Sequence, residues 1–202
     1  MKLQGVEDVL ASVLQVSKTY GTICALTTTV FHLGLVNPYY IALIYSEVLQ
    51  CFQIWRVITN FLFLVKFTIN YGIISMIYQV QLEQGPFAMP TAEFLWMIIF
   101  GASWLMACAF SFAFSIVLQM MPFFLGVSLV FMLLYVWSRA YLNGQINIYG
   151  LVTLKAFYLP WIVLALDVIF GSPLLPHLMG IVAGHHYYFL TVLHPSVGGR
   201  NP

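Results

Sequence analysis

Few side chains in this sequence can do chemistry, and most of those stand in apolar surroundings. Asp167 lies within an apolar run from 156 to 170. A carboxylate in hydrocarbon is costly enough to mark a functional position by default, as in a proton or ion path. The competing reading is a structural carboxylate, protonated or hydrogen-bonded near a helix end, and both stay open. His185 and His186 precede Tyr187 and Tyr188 in a later apolar run. Imidazoles are good metal ligands, but no carboxylate or cysteine stands at ligand spacing nearby. The pair is therefore read as buried and hydrogen-bonded, and neither a metal nor another cofactor is expected. Cys24, Cys51 and Cys108 are scattered, with no CxxC pair and no disulfide framework. The remaining group of interest is Trp55-Arg56, inside the polar and aromatic island Gln53-Ile54-Trp55-Arg56-Val57-Ile58-Thr59-Asn60-Phe61. An indole beside a guanidinium suits the headgroup layer, where the cation can reach a phosphate or a backbone carbonyl.

The elements that must hold these residues follow from composition. The chain has 202 residues, 62% of them hydrophobic and only 6% charged. A soluble domain carries about 25% charged residues, so this chain is read as an all-α, polytopic membrane protein. A net charge of +1 gives no basic patch for nucleic acid. Six apolar segments stand between polar or Pro/Gly-rich breaks, at about 20–36, 57–82, 94–118, 123–137, 156–170 and 178–193. No internal repeat divides them, so residues 1–202 are taken as a single membrane domain.

Residues 1–18 carry Glu7 and Asp8 and do not read as a signal peptide. Val6, Val9, Leu10, Val13 and Leu14 recur at helical spacing, which suggests a short interfacial helix; a frayed polar terminus is the alternative. Residues 37–60, with Tyr39, Tyr40, Tyr45, Phe52 and Trp55, suit an interfacial loop. With six spans both termini share a side. Lys2, Lys18, Arg139, Lys155 and Arg200 fall on that side, against Arg56 and Lys66 on the other. The bias places both termini, including the short tail 194–202, in the cytosol and the 37–60 loop on the far side. The fourth and fifth segments hold about fifteen residues, or roughly 23 Å of helix. A hydrocarbon core of about 30 Å is not covered by that length, so local thinning of the bilayer is expected.

Gly180-Ile181-Val182-Ala183-Gly184 is a GxxxG, which allows two helix backbones to approach closely. Packing within the chain and dimerisation are both open to it. Gly126-Val127-Ser128 offers a small face that such a groove could meet.

Taken together, the Trp-Arg loop after the first span, small residues with serine early in the fourth and GxxxG in the sixth resemble the rhomboid superfamily. Several stretches are similar to its non-proteolytic Derlin branch. They are Phe52-Gln53-Ile54-Trp55-Arg56-Val57-Ile58-Thr59, Leu134-Tyr135-Val136-Trp137, Lys155-Ala156-Phe157-Tyr158-Leu159-Pro160-Trp161 and the run from Gly180 through His185 to Leu190. Phe124 to Phe131 and Leu166 to Pro173 are most similar to the plant Derlins. The resemblance implies a six-helix rhomboid-like fold in the endoplasmic-reticulum membrane. It also implies a part in endoplasmic-reticulum-associated degradation, assisting the return of misfolded lumenal and membrane proteins to the cytosol. Implied partners are those clients, a membrane ubiquitin ligase complex, a cytosolic AAA unfoldase and the bilayer, in a homo- or hetero-oligomer. The sequence ends at Pro202 without the tail box that docks the unfoldase in many Derlins, so the expectation is either indirect recruitment or a chain shortened at this end.

The rhomboid resemblance also raises a serine–histidine dyad. Rhomboid proteases place serine in GxSG on the fourth span and histidine three residues before the GxxxG of the sixth. Ser128 follows Gly126-Val127, and His177 precedes Gly180 by three. Such a pair is a sufficient core for acyl transfer. Two departures oppose it. Leu129 replaces the glycine after the serine, and residues 67–82, where the proteases place histidine and asparagine donors for the oxyanion, contain no histidine and a single asparagine, Asn70. Losing one such donor costs about 10²–10³ in rate. Ser128 and His177 are therefore expected to be vestigial, with an active intramembrane serine protease as one alternative. A small proton-coupled transporter built on Asp167 is the other.

Overall fold

A computed structural model describes residues 20–24, 26–31, 33–37, 40, 42–43, 48, 51–53, 55–63, 91–113, 124–142, 144–148 and 152–193. Outside these lie residues 1–18, most of the second apolar segment with Lys66 and Asn70, the loop at 83–90 and the tail 194–202 with Arg200.

The described chain is predominantly helical. Six helices follow in order: α1 (Tyr20–Phe31), α2 (Trp55–Leu62), α3 (Thr91–Ala113), α4 (Gly126–Ala140), α5 (Leu159–Ile169) and α6 (Leu174–Tyr188). A 3₁₀ turn, Ala156–Tyr158, leads into α5, and a π-helical turn, Phe189–Leu193, continues α6. Among the described residues, Phe94–Ser111 of α3 is the one stretch long and apolar enough to cross a membrane, and only 28% of it is buried. Leu95, Trp96 and Ile99 point outward from it, as a helix apolar on all sides does in lipid. Tyr20–Phe31, Gly126–Ala140 and Ala156–Ile169 are apolar but shorter.

α4 is the central helix. Ser128, Leu129, Phe131, Met132, Leu133, Tyr135, Val136 and Trp137 are all buried, so almost no face of it is free. One side joins Leu105 of α3 and Ala183 of α6 in a core with Leu129 and Met132. The other packs Phe131, Tyr135 and Trp137 against Ala156, Leu159, Val163 and Ile181. The α4–α6 seam is parallel, with Gly180 against Ser128 and Gly184 against Met132.

One departure from the all-α expectation is a two-stranded antiparallel hairpin, β1 (Gln145–Ile148) with β2 (Val152–Lys155), in the register Gln145↔Lys155 and Ile148↔Val152. The alternation Ile146, Ile148 and Val152, Leu154 around Asn147 and Thr153 is strand-like. From sequence, this stretch is expected only as a loop marked by Asn143-Gly144. The backbone N–H of Ala156 donates to the Gly144 carbonyl at 2.8 Å and closes the base of the hairpin.

The sixth helix also starts earlier than 178. It begins at Leu174 after Pro173 and takes Pro176 into its first turn, where the missing N–H would have had no partner in any case. α5 likewise carries Pro160 in its first turn. At its other end Gly171 adopts φ +80°, the left-handed conformation that ends helices without a Cβ clash. The Ser172 N–H then donates to the Asp167 carbonyl at 2.8 Å, so the α5–α6 turn is tightly closed.

Candidate functional site

The tight turn at 170–173 brings together two residues ten apart in sequence. His177 Nε2 lies 3.0 Å from Asp167 Oδ2, and His177 Nδ1 lies 2.7 Å from the Pro173 carbonyl oxygen. Both side chains are buried, at 2% and 8% exposure. A carbonyl only accepts, so Nδ1 carries a proton and donates to it. At Nε2 the bond runs one of two ways: an imidazolium N–H donates to the carboxylate, or a carboxylic O–H donates to a neutral nitrogen. In neither case is the Nε2 lone pair free.

That geometry decides what Ser128 can do. Its side chain is fully buried and Oγ has no hydrogen-bond partner. The Gly180 backbone sits directly on its carbonyl, one helical turn from His177. Serine and histidine thus share a neighbourhood but not a bond. The base that would activate the serine is engaged by Asp167.

Gly180 and Gly184 both face α4 of the same chain. A Cβ on Gly180 would overlap the Ser128 carbonyl oxygen and come 2.7 Å from Phe131 Cβ; on Gly184 it would lie 3.0 Å from the Met132 carbonyl and Tyr135 Cβ. Of the small face at 126–128, Ser128 meets the GxxxG groove, while Gly126 turns to another neighbour. A Cβ there would stand 2.6 Å from the Phe63 carbonyl and 2.9 Å from that of Phe61. Its smallness serves the end of α2 instead.

α2 is inverted relative to a helix in water. Arg56, Asn60 and Phe61 are buried, while Trp55 and Ile58 are exposed at 57% and 64%. Arg56 is therefore not a headgroup-facing cation: its Nη1 donates to the Ala42 carbonyl at 3.1 Å and its Nε to Gln53 Oε1. Of the two roles open to the guanidinium, phosphate or carbonyl, it takes the carbonyl. Asn60 Oδ1 accepts from the Leu125 N–H at 3.1 Å, just ahead of α4. Tyr20 of α1 donates its hydroxyl to the Phe61 carbonyl at 2.9 Å. Three helices thus meet through polar contacts at the end of the molecule that also holds Ser128. Arg56→Ala is expected to leave the Ala42 carbonyl unpaired, costing about 1–3 kcal/mol. Limited proteolysis of the detergent-solubilised protein should then cut faster within 37–60 than in wild type.

Toward the opposite end, the Tyr135 hydroxyl lies 2.9 Å from His185 Nδ1. His185 is hydrogen-bonded but exposed, not buried, because it stands beyond the glycine seam. Among the described residues no three His, Cys, Asp or Glu side chains approach closely enough to hold a metal. The Asp167–His177 pair and the Asn60 cap were missed from sequence. An Asp and a His flanking Gly171-Ser172-Pro173 were the available signal for the first.

Residues 13–201 match the Der1-like family. The chain belongs to that family. It is 60% identical to Derlin-1 of Arabidopsis thaliana over 193 residues, covering 92% of this chain and 69% of that protein. It is 54% identical to Derlin-1 of Oryza sativa subsp. japonica, over 92% of this chain and 76% of the relative. A probable derlin-2 homolog of Dictyostelium discoideum is 37% identical, over 98% and 78%. The resemblance to plant Derlins is thus sound along nearly the whole chain. For a Der1-like protein, the Asp167–His177 pair is the chief polar feature of the described core, and the inverted α2 the chief feature of its surface.

Proposed function

We propose that this member of the Der1-like family is a component of endoplasmic-reticulum-associated degradation, assisting the return of misfolded lumenal and membrane proteins to the cytosol. Membership of the Der1-like family supports this reading, and the observation that carries its mechanism is the inverted α2. A helix that buries an arginine and an asparagine while exposing a tryptophan and an isoleucine suits the boundary between headgroups and acyl chains. The short helices beside it point the same way. α4 has 15 residues and α5 has 11, and 15 residues of helix reach only about 23 Å. Lipid around a six-span arrangement of such helices would thin, lowering the barrier for polar segments in transit.

On this reading the protein is an intramembrane pseudoprotease: His177 is committed to Asp167, which leaves Ser128 without a base. Both termini would face the cytosol, and 37–60 the lumen. Clients would be handed to a membrane ubiquitin ligase and a cytosolic AAA unfoldase.

The test is client turnover. Trp55→Ala combined with Ile58→Ala changes only exposed side chains and is expected to leave expression and thermal stability unchanged. The half-life of a misfolded lumenal client in cells lacking the endogenous protein should lengthen several-fold compared with wild-type rescue. Equal half-lives in the two backgrounds would remove α2 from the mechanism.

A further inference from the structure

Arg139, in the last turn of α4, is the one described cation caught between aromatic rings. Its guanidinium carbon lies 5.0 Å from the Tyr135 ring centre and 4.4 Å from that of Phe157. Stacking of this kind fixes the plane of a guanidinium and leaves its N–H donors along the edge. No acceptor among the described residues takes those donors, although the side chain is half-buried. The hydroxyl of Tyr135, whose ring lies beneath the guanidinium, shares a hydrogen bond with His185 Nδ1, and the exposed His185 ring keeps Nε2 outside that bond. Lys155, two residues before Phe157, is exposed. Asp167 is the only acid whose side chain is described, and it is bound to His177 at the far end of α6. An anion here would be opposed by the C-terminal dipole of α4, so the cationic side chains must act together.

We propose that Arg139, Lys155 and His185 form a site for the phosphate of an anionic phospholipid headgroup. Phosphate matches the free edge of a guanidinium, which can bind two oxygens at once. The lipid source is favoured by what flanks the site: Leu142, Tyr158 and Trp161 are exposed at 44%, 52% and 45%, and such aromatics settle where headgroup meets hydrocarbon. On the orientation proposed above, this end faces the cytoplasmic leaflet, where anionic lipids concentrate. The site rests on the membrane orientation proposed above and not on a role in degradation.

Native mass spectrometry of the full chain in detergent tests it, with phosphatidylglycerol and phosphatidylcholine titrated separately and inorganic phosphate as competitor. The expected result is preferential binding of phosphatidylglycerol, weakened about fivefold by Arg139→Gln and by Lys155→Gln, with millimolar phosphate unable to displace it. Lys155 is exposed, so its variant remains informative if Arg139→Gln does not fold. Equal uptake of the two lipids by wild type, or phosphatidylglycerol binding unchanged in Lys155→Gln, overturns the proposal. Displacement by inorganic phosphate also overturns it, in favour of a soluble phosphate site.

Discussion

Gly180→Val is expected to lower stability more than any other single substitution in the α4–α6 seam. The new side chain would meet the Ser128 carbonyl oxygen and Phe131 Cβ. Both belong to the body of a helix whose other faces are already occupied by Phe63, Leu105 and Leu159, each buried. Neither neighbour is a flexible side-chain tip, so relief requires the helices to move apart along their length. Overpacking of a close-packed interior typically costs about 1–3 kcal/mol, and a rigid backbone contact belongs at or beyond the top of that range. Gly184→Ala should cost less, because its contacts stand at 3.0 Å and can yield by a few tenths of an ångström. The measurement is the thermal midpoint of purified protein in one detergent for Gly180→Ala, Gly180→Val and Gly184→Ala. If Gly180→Val melts with wild type, the seam is not as tight as described.

The second large effect is expected at the α5–α6 clasp. His177→Leu leaves the buried Asp167 carboxyl without its partner, and breaking one half of such a pair costs about 3–5 kcal/mol. Asp167→Leu should be comparably harmful through the stranded imidazole. The double variant Asp167→Leu/His177→Leu removes both polar groups and should recover much of the loss, since apolar replacement of a buried pair is often close to neutral. The double-mutant cycle should therefore give a strong favourable coupling. Simple additivity of the two single losses would mean that the 3.0 Å contact contributes nothing. The same variants bear on chemistry. If pairing with Asp167 is what keeps His177 from Ser128, Asp167→Leu is the background in which a serine-directed probe would first label the protein.

Much of the architecture was legible because it is periodic. Apolar runs bounded by Asn143-Gly144, Gly171-Ser172-Pro173 and Pro122 locate α4, α5 and α6 to within a few residues, and composition alone calls for lipid. The hairpin was not legible. Eight short alternating residues between two apolar helices give a weak signal beside a strong turn marker. The site was harder still. Ser128, His177, Asp167 and Arg56 were each visible as unusual residues, but a sequence does not say which pairs with which. His177 was weighed against Ser128 on spacing from Gly180, whereas the left-handed Gly171 turns it toward Asp167. Beside Trp55, Arg56 could reach either a headgroup phosphate or a backbone carbonyl, and the sequence does not choose between them. On a short helix, adjacent residues point about 100° apart, so one can face out while its neighbour faces in.

The hydrogen bond from the Leu125 N–H to Asn60 joins residues 65 apart. The start of α4 is thus completed by a side chain that leaves the ribosome well before α4 exists. Closing so long a loop is entropically unfavourable, but during synthesis the earlier partner is already delivered and needs only to be retained at the membrane surface. The outward apolar face of α2, with Trp55 and Ile58 exposed, would provide that retention, holding Asn60 at the depth where Leu125 arrives. In that order of events the inverted helix would serve as an early template on which the central helix is seated.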